Sequence, residues 1–361
     1  MKLQYLVRFY GYTPVQRPPA LTKGDTVGIV SPSWGGAAVF PWVLERAERN
    51  LLKHFGLKSK EYAHTRSKPD HLAAHPEDRA QDLMVAFEDP EVSGVIAVIG
   101  GDDSMRVLPH LDPRVFRQHP KVFMGFSDTT TILTWLNQAG LVTFHGPSML
   151  AGWSQMDRYP PAFRDQARAV LFGRRGHWSY PTFPRFSEGY LDWSDRANLG
   201  KIKERHTNDG PHWISGRTPF SGPLFGGNIE VLEMIKGTRY WPKEPFWRGK
   251  VLFLETSEEV PPVRAVQRWL RNYALQGVFR HAAGLLFGRA RGYSPEQKIE
   301  LDGAIRGVIA QECGLPEFPV VTNLDFGHTD PQWVIPLGVR LRVDPRRRTL
   351  GLMEPAVETA R

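Results

Sequence analysis

The sequence predicts an α/β protein with an N-terminal Rossmann-like parallel-sheet domain and a C-terminal α/β domain with a β-rich end. Three observations predict it. From about residue 20 to 150, short apolar runs alternate with amphipathic stretches. The alternation resumes at about residue 229, and between the two lies a segment, 152 to 220, with no clean period.

The elements follow in order. Residues 26 to 30 form an apolar run that ends at Ser31-Pro32-Ser33, a strand leaving into a loop. Residues 41 to 55 place Val43, Ala47, Leu51 and Phe55 on one helical face, and 77 to 87 form a second amphipathic helix. Residues 94 to 99 and 122 to 126 are buried strands, followed by a helix over 129 to 138 and a strand over 141 to 144. Trp, Tyr, Phe, Pro and Asp crowd the stretch 152 to 220, which predicts a linker or long binding loops. Helices over 229–236, 262–275 and 295–312 then alternate with strands over 250–255, 284–288 and 319–323. Residues 333 to 353 predict short strands with a turn at Pro345. The domain limits expected are 20–175 for the first domain, 176–215 for the linker and loops, and 216–355 for the second.

Composition narrows the class. With 361 residues, 41% hydrophobic and 23% charged, the chain has the make-up of a two-domain globular protein. The net charge of +8 is scattered, and its one dense run, Arg346-Arg347-Arg348, falls in a predicted turn, so no nucleic-acid partner is expected. The single cysteine, Cys313, excludes an internal disulfide and a cysteine metal cluster. No run of 18 apolar residues occurs, and Met1 to Tyr12 has no long apolar core. No membrane association is expected, and the expected location is cytoplasmic.

Four segments carry candidate chemistry. Gly125-Phe126-Ser127-Asp128-Thr129 lies where a strand turns into a helix, a place that projects a serine hydroxyl; the same residues would also serve as a simple helix cap. Ile99-Gly100-Gly101-Asp102-Asp103-Ser104 puts two glycines at a strand end, where a substrate carbonyl can approach backbone N–H groups; a plain tight turn is the alternative. Glu255 ends the apolar run Val251-Leu252-Phe253-Leu254 and can orient a histidine, whereas Glu258 and Glu259 suit an acidic helix N-terminus. His328, in Asp325-Phe326-Gly327-His328-Thr329, can act as a general base, with His145 as its rival. A histidine base titrates near about 6.5 when unperturbed, which predicts falling activity in acid. No H-E-x-x-H or cysteine–histidine spacing occurs, so no catalytic metal is expected.

These segments, with Gly226-Gly227-Asn228 and Pro336-Leu337-Gly338, occur in an order that resembles the LD-carboxypeptidase family of serine peptidases. The match is closest to its microcin-immunity branch and covers roughly residues 20 to 345. The resemblance implies Ser127 as nucleophile, His328 as general base and Glu255 as its orienting acid. It implies the amides of Gly101 and Asp128 as oxyanion donors, with a site between two domains in a homodimer and no cofactor. Asp103, Trp193 and Asn228 are the expected substrate contacts. Carboxypeptidase members carry an Arg-Gly-Gly-Tyr-Gly type turn where this chain has Ile99-Gly100-Gly101-Asp102-Asp103, a departure from the cell-wall enzymes. The substrate expected is therefore a small peptide or a peptidyl- or aminoacyl-nucleotide conjugate. Release of D-alanine from murein tetrapeptide is the alternative, and a binding protein on an inactive scaffold is a third reading. Trp178, Tyr180, Trp193 and Trp213 supply flat rings that could stack on a nucleobase or pack the seam between domains.

Overall fold

Alternating buried strands and one-faced helices produce the layered arrangement. The computed structural model describes residues 15–173 and 178–358, so the expectations for Met1–Tyr12 and for a boundary at 175–176 lie outside the described residues. The first half runs β1 (Thr26–Val30), α1 (Gly36–Val39), α2 (Pro41–Phe55), β2 (Lys58–Glu61), α3 (Pro69–Ala74), α4 (Pro76–Glu88), β3 (Gly94–Ala97), α5 (Pro113–Gln118), β4 (Val122–Gly125), α6 (Thr130–Gln138), β5 (Thr143–His145) and α7 (Pro161–Leu171). Helix α2 shows the local logic. Pro41 opens it, Gly56 closes it in the left-handed conformation at φ 70°, and Val43, Leu44, Ala47, Leu51 and Phe55 form its buried face.

The five strands of this half lie in the order β5-β4-β3-β1-β2, with parallel pairing throughout. The order reverses at β1 and β3, and the loops leaving their C-terminal ends border the crevice that such sheets use for ligands. One strand comes from the other half of the chain. Ile335–Leu337 pairs antiparallel with β5 and closes the sheet edge.

After α7 come β6 (Trp178–Ser179), β7 (Arg185–Glu188), β8 (Arg205–Thr207), β9 (His212–Ser215), β10 (Phe220–Asn228), α8 (Ile229–Ile235), β11 (Val251–Glu255), α9 (Val263–Leu275), α10 (Val278–His281), β12 (Gly284–Gly288), α11 (Pro295–Arg306), β13 (Val320–Leu324), β14 (Thr329–Asp330), β15 (Ile335–Leu337), β16 (Arg340–Asp344) and β17 (Thr349–Leu352). The second sheet has the order β6-β17-β16-β10-β11-β12-β13-β9, with β10 to β13 parallel. A three-stranded sheet, β14-β7-β8, links the middle segment to the loop near His328.

The α/β class and most elements match the sequence expectation. The stretch 152–220 is more ordered than a linker: it contains α7, gives β6 and β9 to the second sheet and pairs β7 with β14. The helix expected over 295–312 is α-helical only to Arg306. A Ser294–Gln297 capping box starts it, and its last turns widen into a π-helix over Gly307–Glu312, which ends at Cys313. Among the described residues, no helix is long and apolar enough to cross a membrane.

Candidate active site

Ser127 sits at the exit of β4 with φ +57°, a left-handed conformation unusual for serine. Phe126 before it is extended, and a single 3-10 turn over Ser127–Thr129 leads into α6. Ser127 is half-buried, between fully buried neighbours. Gly100 makes room for it: a Cβ there would lie 2.7 Å from Ser127 Cβ, 2.9 Å from Oγ and 3.3 Å from the Asp128 amide nitrogen. A glycine is needed where the two strand ends approach so closely.

Asp128 holds this corner together with its side chain. Its Oδ2 accepts hydrogen bonds from Ser33 Oγ and, at 2.8 Å, from the Ser104 amide, and its carbonyl accepts from Ser104 Oγ at 2.6 Å. The loops after β1, β3 and β4 thus share one fully buried carboxyl. Burial pushes its pKa upward against those hydrogen bonds. The Gly100 carbonyl accepts from the Trp34 amide at 3.1 Å, while among the described residues the Gly101 amide donates to no other group. Gly100 thus packs directly against Ser127 and the Asp128 amide, and Gly101 is the next residue of the same turn, against Ser33 and Trp34. Both Asp103 oxygens are taken by cations instead of facing free space: Arg79 forks onto them at 2.6 and 3.2 Å, and Arg106 adds a contact at 3.1 Å. Asp103 braces the glycine turn.

The other half of the site forms at the C-terminal ends of β10, β11 and β13. Glu255 ends β11 with no exposed surface, in register with Asn228 on β10. His328 follows β13, and its Nδ1 lies 2.7 Å from Glu255 Oε2. An ionised carboxylate only accepts, so Nδ1 carries a proton directed at Glu255 and any exchange of a proton with another group falls to Nε2. Two glycines permit this approach: a Cβ at Gly327 would come 2.7 Å from Glu255 Oε2, and one at Gly288 would come 2.9 Å from Glu255 Cβ.

The two halves meet through close packing. The His328 ring rests 5.0 Å from Phe126, the residue before Ser127. Gly227 has φ +145°, and a Cβ there would lie 2.5 Å from Thr130 Cγ2 at the start of α6. The Asn228 amide donates to Thr130 Oγ1 at 3.2 Å, and Asn228 Oδ1 caps α8 through the Val231 amide at 3.0 Å. Asn228 Nδ2 is buried and has no partner among the described residues. His145, the alternative base, has a different setting. It is fully buried, packs edge-on against Phe126 and Phe253, and has no partner on either ring nitrogen among the described residues. Burial first, and the nearby His328 second, push it down to about 3.

Sequence reasoning missed the acids beyond Glu255. Helix α9 begins only at Val263, so Glu258 and Glu259 lie in the turn before it and do not decorate its first turn. Glu258 Oε2 is 3.0 Å from His328 Nε2, close enough for an ion pair but outside the directional geometry of a hydrogen bond. Burial works against charge on His328, but Glu255 and then Glu258 outweigh it and push the imidazole up to about 10. This displaces the titration expected near about 6.5 for a free histidine. Contact with His328 lowers Glu258 to about 2. Glu230, held by Ser257 through its amide and hydroxyl, is raised to about 7 by burial and by the charge of Glu255. The sequence offered a signal for Glu258 in its three-residue spacing from Glu255 on one exit loop, but none for Glu230.

The aromatic candidates separate. Trp178 packs on Tyr180, and Tyr180 stacks on Trp333 at 4.6 Å, within the seam between segments. Tyr180, Trp213 and Trp333 line a cavity of about 200 Å³ that includes none of Ser127, Glu255 or His328. Trp193 is half-buried against Phe40 and Tyr190, and Phe40 in turn touches Trp34. Trp34 is 36% exposed, and its backbone lies beside Gly101. It is a second ring at this site that the sequence did not flag.

Comparison with known proteins agrees with this architecture. The LD-carboxypeptidase N-terminal domain matches residues 27–146, and the LD-carboxypeptidase C-terminal domain matches residues 221–343. The microcin C7 self-immunity protein MccF of Escherichia coli is 25% identical over 94% of this chain and 96% of its own length. A probable murein peptide carboxypeptidase of Bacillus subtilis is 28% identical over 95% of this chain and 97% of its own. A crystal structure of an MccF-like protein from Streptococcus pneumoniae in complex with AMP superposes with a TM-score of 0.79 at 28% identity, covering 91% of this chain and 98% of that one. With matches to both halves of the family's two-domain architecture, the chain belongs to the LD-carboxypeptidase family.

Proposed function

We propose that this chain is a serine peptidase or amidase that cleaves the amide bond of a peptidyl- or aminoacyl-nucleotide conjugate. The observation that carries the reading is the 2.7 Å pair between His328 Nδ1 and buried Glu255, set against a strained Ser127 turn. In this mechanism Ser127 Oγ attacks the substrate carbonyl and passes its proton to His328 Nε2. The Gly101 and Asp128 amides receive the oxyanion. The imidazolium then gives its proton to the leaving nitrogen, and water releases the acyl group by the same route. Glu258 has to withdraw from Nε2 before Ser127 can use it. Asn228 offers its unpartnered Nδ2 to the substrate near the reacting carbonyl, and Asp103 acts by fixing the glycine turn.

The nucleotide assignment draws support from the AMP complex of the pneumococcal relative and from the Trp34–Phe40–Trp193 ring series beside Gly101. Trp193 is the proposed stacking ring. The same reading places the enzyme in the cytoplasm as a homodimer. The test is mass spectrometry after incubation with an aminoacyl-sulfamoyl adenosine and, separately, with murein tetrapeptide. Cleavage of the first is expected, and Trp193→Ala should weaken its binding roughly tenfold, the scale of one stacked base. Brisk D-alanine release from the tetrapeptide with no cleavage of the conjugate would overturn the nucleotide reading.

A further inference from the structure

A second group of ligating side chains lies on the first half of the chain, apart from the triad. His64 is in the loop after β2, His71 is in α3, and Asp78 is in the first turn of α4. One donor atom from each lies within 4.8 Å of the other two. His64 Nε2 is 3.5 Å from Asp78 Oδ2, and His71 Nε2 is 2.9 Å from the same oxygen. The two imidazole planes are nearly parallel, 13° apart with centroids at 5.8 Å, and each ring turns its Nε2 toward the same carboxylate oxygen.

The orientation of His64 is set from behind. Its Nδ1 lies 2.9 Å from Asp82 Oδ1, and its backbone amide donates to Asp82 Oδ2 at 2.7 Å. Asp82 lies one turn beyond Asp78 on α4, on the same face, and its side chain is only 6% exposed. With Asp82 ionised, neutral His64 carries its proton on Nδ1 and presents the Nε2 lone pair to Asp78. A carboxylate behind the imidazole that fixes this tautomer is the arrangement found behind metal-bound histidines. The 3.5 Å separation from Asp78 is long for a hydrogen bond. It matches the ligand-to-ligand edge of a tetrahedral site, about 3.3–3.6 Å for metal–ligand bonds of about 2.0–2.2 Å. The shorter His71–Asp78 edge has to open by roughly half an ångström, and both side chains retain solvent exposure that allows it.

We propose that His64, His71 and Asp78 form a binding site for a divalent transition-metal ion of the zinc type, with water as fourth ligand and Asp82 as the positioning residue behind His64. Two imidazoles and one carboxylate suit zinc and its neighbours, whereas magnesium and calcium require an oxygen shell. The ion would be structural, because none of its ligands touches the triad. It would tie the loop after β2 to α3 and α4. That loop is already anchored to β1 through Thr65, whose Oγ1 donates to the Ile29 carbonyl and whose own carbonyl accepts from Ser31 Oγ. The next residue on α4, Arg79, is the buried cation that grips Asp103 below the glycine turn.

The test is a titration of chelator-treated full-length protein with zinc against a chromophoric chelator, with magnesium as control. One zinc per chain should bind, magnesium should not compete, and zinc should raise the melting temperature. His71→Ala should weaken zinc binding tenfold or more and abolish the thermal shift, while the melting temperature without metal stays unchanged. Asp82→Asn keeps all three ligands, yet it should weaken zinc roughly 10- to 100-fold, the usual cost of losing a partner behind a metal ligand. No zinc binding at tens of micromolar, or equal affinity in wild type and His71→Ala, would overturn the proposal. An unaltered affinity in folded Asp82→Asn would remove its positioning role.

Discussion

The serine half and the histidine half of the site are held by different forces. Around Ser127 the partners are hydroxyls, backbone amides and one fully buried carboxyl, Asp128, raised by burial. Around His328 they are charges: Glu255 on one nitrogen with no exposure, and Glu258 on the other with 53% of its side chain exposed. The contrast separates what is built in from what can move. Glu255 cannot leave without opening the packing of Gly288 and Gly327, whereas Glu258 can swing into solvent. Ser127, the proposed nucleophile, is therefore held by steric geometry and hydrogen bonds, and His328, the proposed base, by an electrostatic balance that substrate binding can change.

The largest effect should come from the steric half. Ser127→Ala should abolish amide hydrolysis, with a loss on the order of a million-fold as for a comparable serine nucleophile, and should leave the circular dichroism spectrum intact. Retention of more than roughly a tenth of the rate would remove Ser127 from its role.

A smaller effect tests the glycine packing behind the charged half. Gly327 has φ +96° and leaves no space beside Glu255, so Gly327→Ala should cost about 1–3 kcal/mol and lower the melting temperature by several degrees. An unchanged melting temperature would mean that the loop relaxes freely and that Glu255 is less fixed than its burial implies.

The smallest change should be a shift in pH dependence. The groups facing His328 are Glu255, Glu258, Glu230, Asp330 and the buried His145, with Arg291 acting on Glu258. Because His328 is raised to about 10, its folded-state stabilisation is complete below about 6.5 and is lost as pH rises through about 10. Glu258, lowered to about 2, contributes above its unfolded value of about 4.3 and loses that contribution as pH falls through about 2. The ion pair is thus complete in the window between. With His328 raised to about 10, kcat/KM is expected to go on rising with pH beyond about 6.5 toward about 10. Glu258→Gln removes one of the two principal charges and should move that limb toward neutrality. A limb in the same place in both proteins would show that Glu258 does not govern the base.

The sequence made parts of this legible for physical reasons. Glu255 ends a buried strand and Ser127 and His328 lie in the loops that follow buried strands, and strand ends of this kind are visible without coordinates. Helix α7 was hidden although Phe163, Ala167, Val170 and Leu171 form its buried face, because prolines and aromatic residues around it mask the period. The placement of β15 in the first sheet was equally invisible, since three residues that pair across the chain carry no local signature. In the sequence Glu258 has the look of a helix-terminal acid, because exposed acids before a helix are common. Only the position of His328 Nε2 gives it a different meaning.

The central claim is that Ser127 and His328 act as one unit, and a double-mutant comparison tests it most directly. Rates for Ser127→Ala, His328→Ala and the combined variant are measured on one amide substrate at one pH. The account predicts that the double variant is no slower than the slower single variant, because either loss already dismantles the unit. Losses that multiply in full would contradict it and would place His328 outside the step that activates Ser127.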